Sequence, residues 1–89
     1  MKYKIIIKNT AKKDIKKIQK SNLKKTFYKL LKIVQQDPYQ NPPYMEKLMG
    51  DLKGCYSRRI NKQHRLVYEV NELQKTVRIL SVWSHYGDN

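Results

Sequence analysis

Cysteine, glycine and acidic side chains are scarce in this sequence. It contains one cysteine, Cys55, three glycines and only seven aspartates and glutamates among 89 residues. A single cysteine excludes an intrachain disulfide and a cysteine-based metal cluster. No GxGxxG or GxxxxGK[ST] string occurs, so a nucleotide cofactor has no support. No HxH, HExxH or acidic cluster occurs, and a metal site is not expected. No apolar run is long enough to span a bilayer. The start, with Ile5, Ile6 and Ile7 closed off by Lys8, is too short for a signal peptide. The expectation is a cytoplasmic protein without a cofactor, folded as one domain over residues 1–89. A domain of this size buries a modest share of its surface, so a partner or a second copy would add to its stability.

What is abundant is positive charge. Twenty lysines and arginines give a net charge of +13, and such an excess attracts polyanions, above all nucleic acid. The charge is uneven. Residues 1–36 carry twelve lysines and one acid, Asp14, while residues 37–89 carry eight basic and six acidic residues. All four arginines, Arg58, Arg59, Arg65 and Arg78, lie in the second part. Lysine gives a diffuse field; the planar guanidinium fork suits specific phosphate contacts.

Periodicity gives a coarse map. Residues 2–8 alternate and then run through three isoleucines, which reads as a strand. Ala11, Ile15 and Ile18 share one helical face, with Asn9 or Thr10 as the expected cap. Ser21 and Asn22 mark a break. Leu23, Phe27, Leu30, Leu31 and Val34 form a second apolar stripe, which ends before Asp37-Pro38 because a residue preceding proline resists the helical region. Residues 37–53 hold all three prolines and read as a long loop, with a helical turn expected near 45–49. Three strands follow, over 55–60, 64–70 and 76–86, joined by short polar links suited to hairpins. The order is β-α-α-β-β-β. The expected class is α+β, an antiparallel sheet with an N-terminal two-helix hairpin on one face.

Several side chains are chemically suggestive, and each has an ordinary alternative. Glu46 lies in the proline-flanked loop, where a surface carboxylate commonly pairs with lysine. Arg58 and Arg59 are consecutive in a strand and must point to opposite faces, one to solvent and one toward a site. Arg65 shares a face with Glu69 and could simply pair with it. His85, beside Tyr86 and ahead of the tail Gly87-Asp88-Asn89, ends the last strand; His64 suits a hairpin end. RNA carries its own nucleophile, the 2′-OH, so cleavage needs a base, a cation for the phosphate and an acid for the departing oxygen. This inventory is compatible with that scheme but does not establish it.

From Glu46 onward the sequence resembles the YoeB branch of the RelE-type toxins of bacterial toxin–antitoxin pairs. The matching pieces are Glu46-Lys47-Leu48, Leu52-Lys53-Gly54-Cys55-Tyr56-Ser57-Arg58-Arg59-Ile60, His64-Arg65-Leu66-Val67-Tyr68 and His85-Tyr86. The resemblance implies a RelE-like fold and a ribosome-dependent endoribonuclease that cuts mRNA in the A site without a metal. It implies Glu46 as general base, Arg65 as the stabiliser of the phosphorane-like transition state, His85 as general acid, Tyr86 as a positioning group and Arg59 as an auxiliary phosphate contact. It also implies a YefM-like antitoxin with an acidic and apolar segment, and a homodimer. Tyr56 stands where the family often has tryptophan, and Met49 where relatives can carry lysine. Two other functions fit the same fold: a non-catalytic toxin that binds DNA gyrase, and an inactive RNA- or ribosome-binding module.

Overall fold

The computed structural model describes residues 2–50 and 54–82. Seven elements follow in chain order: β1 (Lys4–Ile7), α1 (Asn9–Gln19), α2 (Lys24–Gln36), β2 (Met45–Lys47), β3 (Cys55–Arg59), β4 (Arg65–Asn71) and β5 (Thr76–Ser81). The sheet order is β1-β5-β4-β3-β2. The chain lays down one edge, crosses through both helices to the opposite edge, and then winds back strand by strand until β5 meets β1.

The α+β class and the helix pair agree with the sequence reading, and three details differ. The segment around 45–49 is not a helical turn; Met45–Lys47 is a strand paired antiparallel with β3. There are therefore four strands after the helices among the described residues, not three. The sheet is mixed rather than antiparallel throughout, because β1 runs parallel to β5. A return crossover through two helices permits that direction, which a tight hairpin cannot. The third difference is at the start of α1. Asn9 is already helical, and Lys8 occupies the cap position with no side-chain hydrogen bond.

Both helices pack by their apolar stripes on one face of the sheet. Ala11 and Ile18 of α1 and Phe27, Leu30 and Val34 of α2 join Leu66, Tyr68, Val77, Ile79 and Val82 in the main core. The turn between the helices is held by Ser21, whose hydroxyl donates to the Ile18 carbonyl at 2.8 Å and accepts from the Leu23 amide at 3.1 Å. Asp37 ends α2 in an extended conformation, as its position before Pro38 requires. Asp14, alone among lysines, accepts a hydrogen bond from the Val82 amide and ties α1 to the end of β5.

The other face carries a small second cluster, Leu48, Cys55 and Val67, with Leu80 against it. Val67 pairs with Ser81 and Tyr68 with Ile79, so Leu80 is the extra residue of a bulge. The bulged Leu80 packs onto this cluster. No helix of the described residues is long and apolar enough to cross a membrane.

Candidate active site on the helix-free face

Strand β3 organises the site by simple alternation. Cys55, Ser57 and Arg59 point to the helix-free face, and Tyr56 and Arg58 point to the helices. Register extends this assignment to the neighbouring strands. Glu46 pairs with Ser57, Ser57 pairs with Val67, and Arg59 pairs with Arg65. Directly paired residues share a face, so Glu46, Arg59 and Arg65 lie together beside the second apolar cluster. β2 and β4 are two strand spacings apart, roughly 10 Å, with β3 between them.

The two adjacent arginines have opposite fates. Arg59 is exposed on the site face. Arg58 is completely buried. Its Nη1 donates to the Pro43 carbonyl at 2.9 Å, and its Nη2 donates to the carbonyls of Pro38 at 3.1 Å and Gln40 at 2.8 Å. Its Nε donates to the Tyr68 hydroxyl at 3.1 Å, which in turn donates to the Pro38 carbonyl at 2.6 Å. A buried guanidinium is stable only when its donors are used. Here backbone carbonyls of the proline loop use them. Arg58 thereby fastens the loop that delivers Glu46 to the sheet edge, a positioning role that the sequence reading left open between the two arginines. Burial pushes the Tyr68 phenol above its ordinary 10.0, against the opposing influence of Arg58.

An aromatic stack and a carboxylate complete the anchorage of the loop. Tyr39 meets Tyr56 edge-on at 5.5 Å, and Tyr56 stacks on Tyr68 at 5.8 Å. Glu72, on the β4–β5 turn, accepts from the hydroxyls of Tyr3 and Tyr39 and from Lys75. Hydrogen bonds from Lys75, Tyr39 and Tyr3 hold its carboxyl down at about 2. Desolvation, followed by the hydrogen bond to Glu72, raises the Tyr39 phenol. This cluster was absent from the sequence reading, since its hydrogen-bonded members Tyr3 and Glu72 are 69 positions apart and no motif links them.

Among the described residues, two buried polar side-chain atoms on the site face have no hydrogen-bond partner: Ser57 Oγ and Arg65 Nε. Among the described residues Arg65 forms no ion pair with Glu69; the salt bridge found there joins Lys75 to Glu72. The ordinary alternative for Arg65 is thus not what the fold uses. His64 closes the β3–β4 turn through its backbone, which accepts from the Ile60 amide at 2.9 Å, while its own amide donates to Asn61 at 2.7 Å. Among the described residues no three His, Cys, Asp or Glu side chains gather to hold a metal ion. His85 and Tyr86 lie outside the described residues, as does the tail from Gly87 to Asn89.

Comparison with known proteins gives a consistent answer. A family model described as the YoeB-like toxin of the bacterial type II toxin–antitoxin system matches residues 7–86. A curated Toxin YoeB from Synechocystis sp. is 39% identical over 57 residues, 64% of this chain and 64% of that protein. A curated Toxin RelK from Mycobacterium tuberculosis is 38% identical over 58 residues, 65% of this chain and 66% of the relative. The matched stretch is thus slightly under two thirds of these relatives' own length. Solved structures are covered further. The YoeB–YefM complex from Staphylococcus aureus aligns with a TM-score of 0.79 and 35% identity over 97% of this chain and 100% of that one. The YoeB dimer from the same organism aligns with a TM-score of 0.81 and 34% identity over the same shares.

Proposed function

The chain belongs to the family of YoeB-like toxins of bacterial type II toxin–antitoxin systems, and from that premise we propose that it is a ribosome-dependent endoribonuclease that cuts mRNA in the A site. The observation that carries the reading is the shared open face of Glu46, Arg59 and Arg65, set by the β2–β3 and β3–β4 registers.

In this reading Glu46 removes the proton of the 2′-OH. The freed oxygen attacks the adjacent phosphorus, forming the O2′–P bond. Arg65, with Arg59 in support, neutralises the charge that builds on the phosphoryl oxygens. The P–O5′ bond breaks, and His85 gives its proton to the departing 5′-oxygen, with Tyr86 holding the nucleotide. The products are a 2′,3′-cyclic phosphate and a 5′-hydroxyl. The nucleophile belongs to the substrate, so protein groups need only supply the base, the acid and the cations. An imidazole titrates near neutral pH and suits the acid role. The ribosome orders the mRNA strand over the open face, and free RNA is cut slowly because orientation is missing.

The antitoxin partner presents an acidic and apolar segment that orders on binding, as suits a chain of net charge +13. Staphylococcus aureus YoeB occurs in a complex with YefM and as a dimer, and the same assemblies are proposed here. The test is cleavage of mRNA on programmed ribosomes by purified protein, with the 3′ end characterised. Glu46→Ala and His85→Ala are expected to keep their circular dichroism spectra and lose ~10²–10⁴-fold in rate. A fully active variant of either kind overturns the assignment of that residue.

A further inference from the structure

Ser57 is an anomaly on the site face. It is 1% exposed and among the described residues its hydroxyl makes no hydrogen bond. Two of its site-face neighbours are apolar, Cys55 two residues before it on β3 and Val67 opposite it on β4. A buried hydroxyl without a partner opposes folding, and alanine at this position would avoid that cost. A second unpartnered atom lies close by, the Nε of Arg65.

Register places Ser57 between the two principal site residues. It is directly opposite Glu46 on β2. It is diagonal to Arg65 on β4, because Ser57 pairs with Val67 and the next site-face pair is Arg59 with Arg65. Direct partners are in side-chain contact range, and diagonal partners are within reach of a long side chain. A hydroxyl can accept and donate at once, whereas Arg Nε can only donate and a carboxylate can only accept. One small rearrangement therefore satisfies both orphaned atoms and engages the carboxylate as well.

We propose that Ser57 is a positioning residue for RNA cleavage: with substrate bound, its hydroxyl accepts a hydrogen bond from Arg65 Nε and donates one to the Glu46 carboxylate. The guanidinium that grips the phosphate is then mechanically joined to the base that takes the 2′ proton. Phosphate binding draws Arg65 forward, Arg65 engages Ser57, and Ser57 fixes the carboxylate beside the 2′-OH. Chains of this kind reinforce one another in a water-poor site. The inference rests on the roles given above to Glu46 and Arg65.

Single-turnover cleavage of ribosome-bound mRNA by the full chain tests it, with thermal unfolding measured on the same samples. Ser57→Ala is expected to lower the rate at saturating ribosomes about tenfold. The half-saturating concentration stays within about twofold, because the group orients the base rather than binding the ribosome. Its melting temperature is unchanged or raised, since an unsatisfied hydroxyl has been removed. Ser57→Thr, which keeps the hydroxyl, retains most of the rate. Ser57→Cys keeps the volume, weakens the donor and falls with alanine. Wild-type rates for the alanine or cysteine variant overturn the proposal, as does a rate loss that only tracks a lower melting temperature. Glu46→Gln is run in parallel. If it cleaves normally, the base assignment fails and this inference with it; if it is inactive while Ser57→Ala is normal, the Ser57 bridge alone fails.

Discussion

The two faces of the sheet have solved opposite problems. The helix-covered face buries Phe27, Leu66, Tyr68, Val77 and Ile79, and the charge it takes in among the described residues, Arg58, has a hydrogen bond on each of its three nitrogens. The open face buries less, around Leu48, Cys55 and Val67, and leaves Ser57 and Arg65 with unsatisfied atoms. Satisfied polar groups stabilise a core; unsatisfied ones call for an explanation, and a ligand is one. The difference teaches where to expect stability and where to expect function, and neighbouring residues on one strand report on each.

The sharpest way to break this comparison is to exchange the fates of Arg58 and Arg59. Arg58→Met removes the donors to the Gln40 and Pro43 carbonyls and leaves the Pro38 carbonyl with the Tyr68 hydroxyl. We expect a stability loss of roughly 3 kcal/mol, read from the urea midpoint, and a loss of activity in the folded protein as well, because the loop that delivers Glu46 is no longer fastened. Arg59→Gln touches only the open face. Its stability should stay within about 0.5 kcal/mol of the wild type, while cleavage on ribosomes falls roughly tenfold through loss of a phosphate contact. If Arg58→Met lost no stability, or Arg59→Gln unfolded early, the division of labour between the faces would be wrong.

The smallest effect concerns the Tyr3–Tyr39–Glu72–Lys75 anchor. Glu72 has a folded-state pKa of about 2, below its ordinary 4.5. A depressed carboxylate stabilises the fold fully above the unfolded value and loses that contribution as pH falls through the folded one. The melting temperature should therefore drop slightly as pH is lowered from 4.5 toward 2, and less steeply in Glu72→Gln. Because Glu72 is on the surface, solvent screening keeps the effect small. Equal slopes for the two proteins would show that the anchor is not an electrostatic one.

Much of the fold was legible because its signals are local. The stripes of α1 and α2 repeat at the helical period, and Asp37-Pro38 stops α2 where it should. The alternation in β4 put Arg65 and Glu69 on one face, and the fold has Leu66 and Tyr68 in the core on the other. Strand β2 escaped because three residues, flanked by Pro42, Pro43 and Gly50, carry too little alternation to register as a period. The parallel pairing of β1 escaped because nothing in residues 4–7 names a partner beyond position 75. In the site, Glu46, Arg59 and Arg65 were recognisable through family resemblance. Ser57 was quoted only as part of a matching string, since a serine inside a strand has no signature of its own. His85 and Tyr86 were named from the same resemblance and lie outside the described residues.

What the amino-acid order determined by itself was the set of two-sided pieces and their charge: helices with one apolar stripe and one lysine face, strands with alternating sides, and the rule that Arg58 and Arg59 must part company. Those properties depend only on 3.6-residue and two-residue periods and on composition. Which arginine went inward, that residues 45–47 became an edge strand, and that Ser57 came to stand between Glu46 and Arg65 were decided by tertiary structure. Each is a matter of strand register, and register is set by the whole hydrophobic face seeking burial at once. A shift of one residue would have sent Arg58 to solvent and Arg59 into the core.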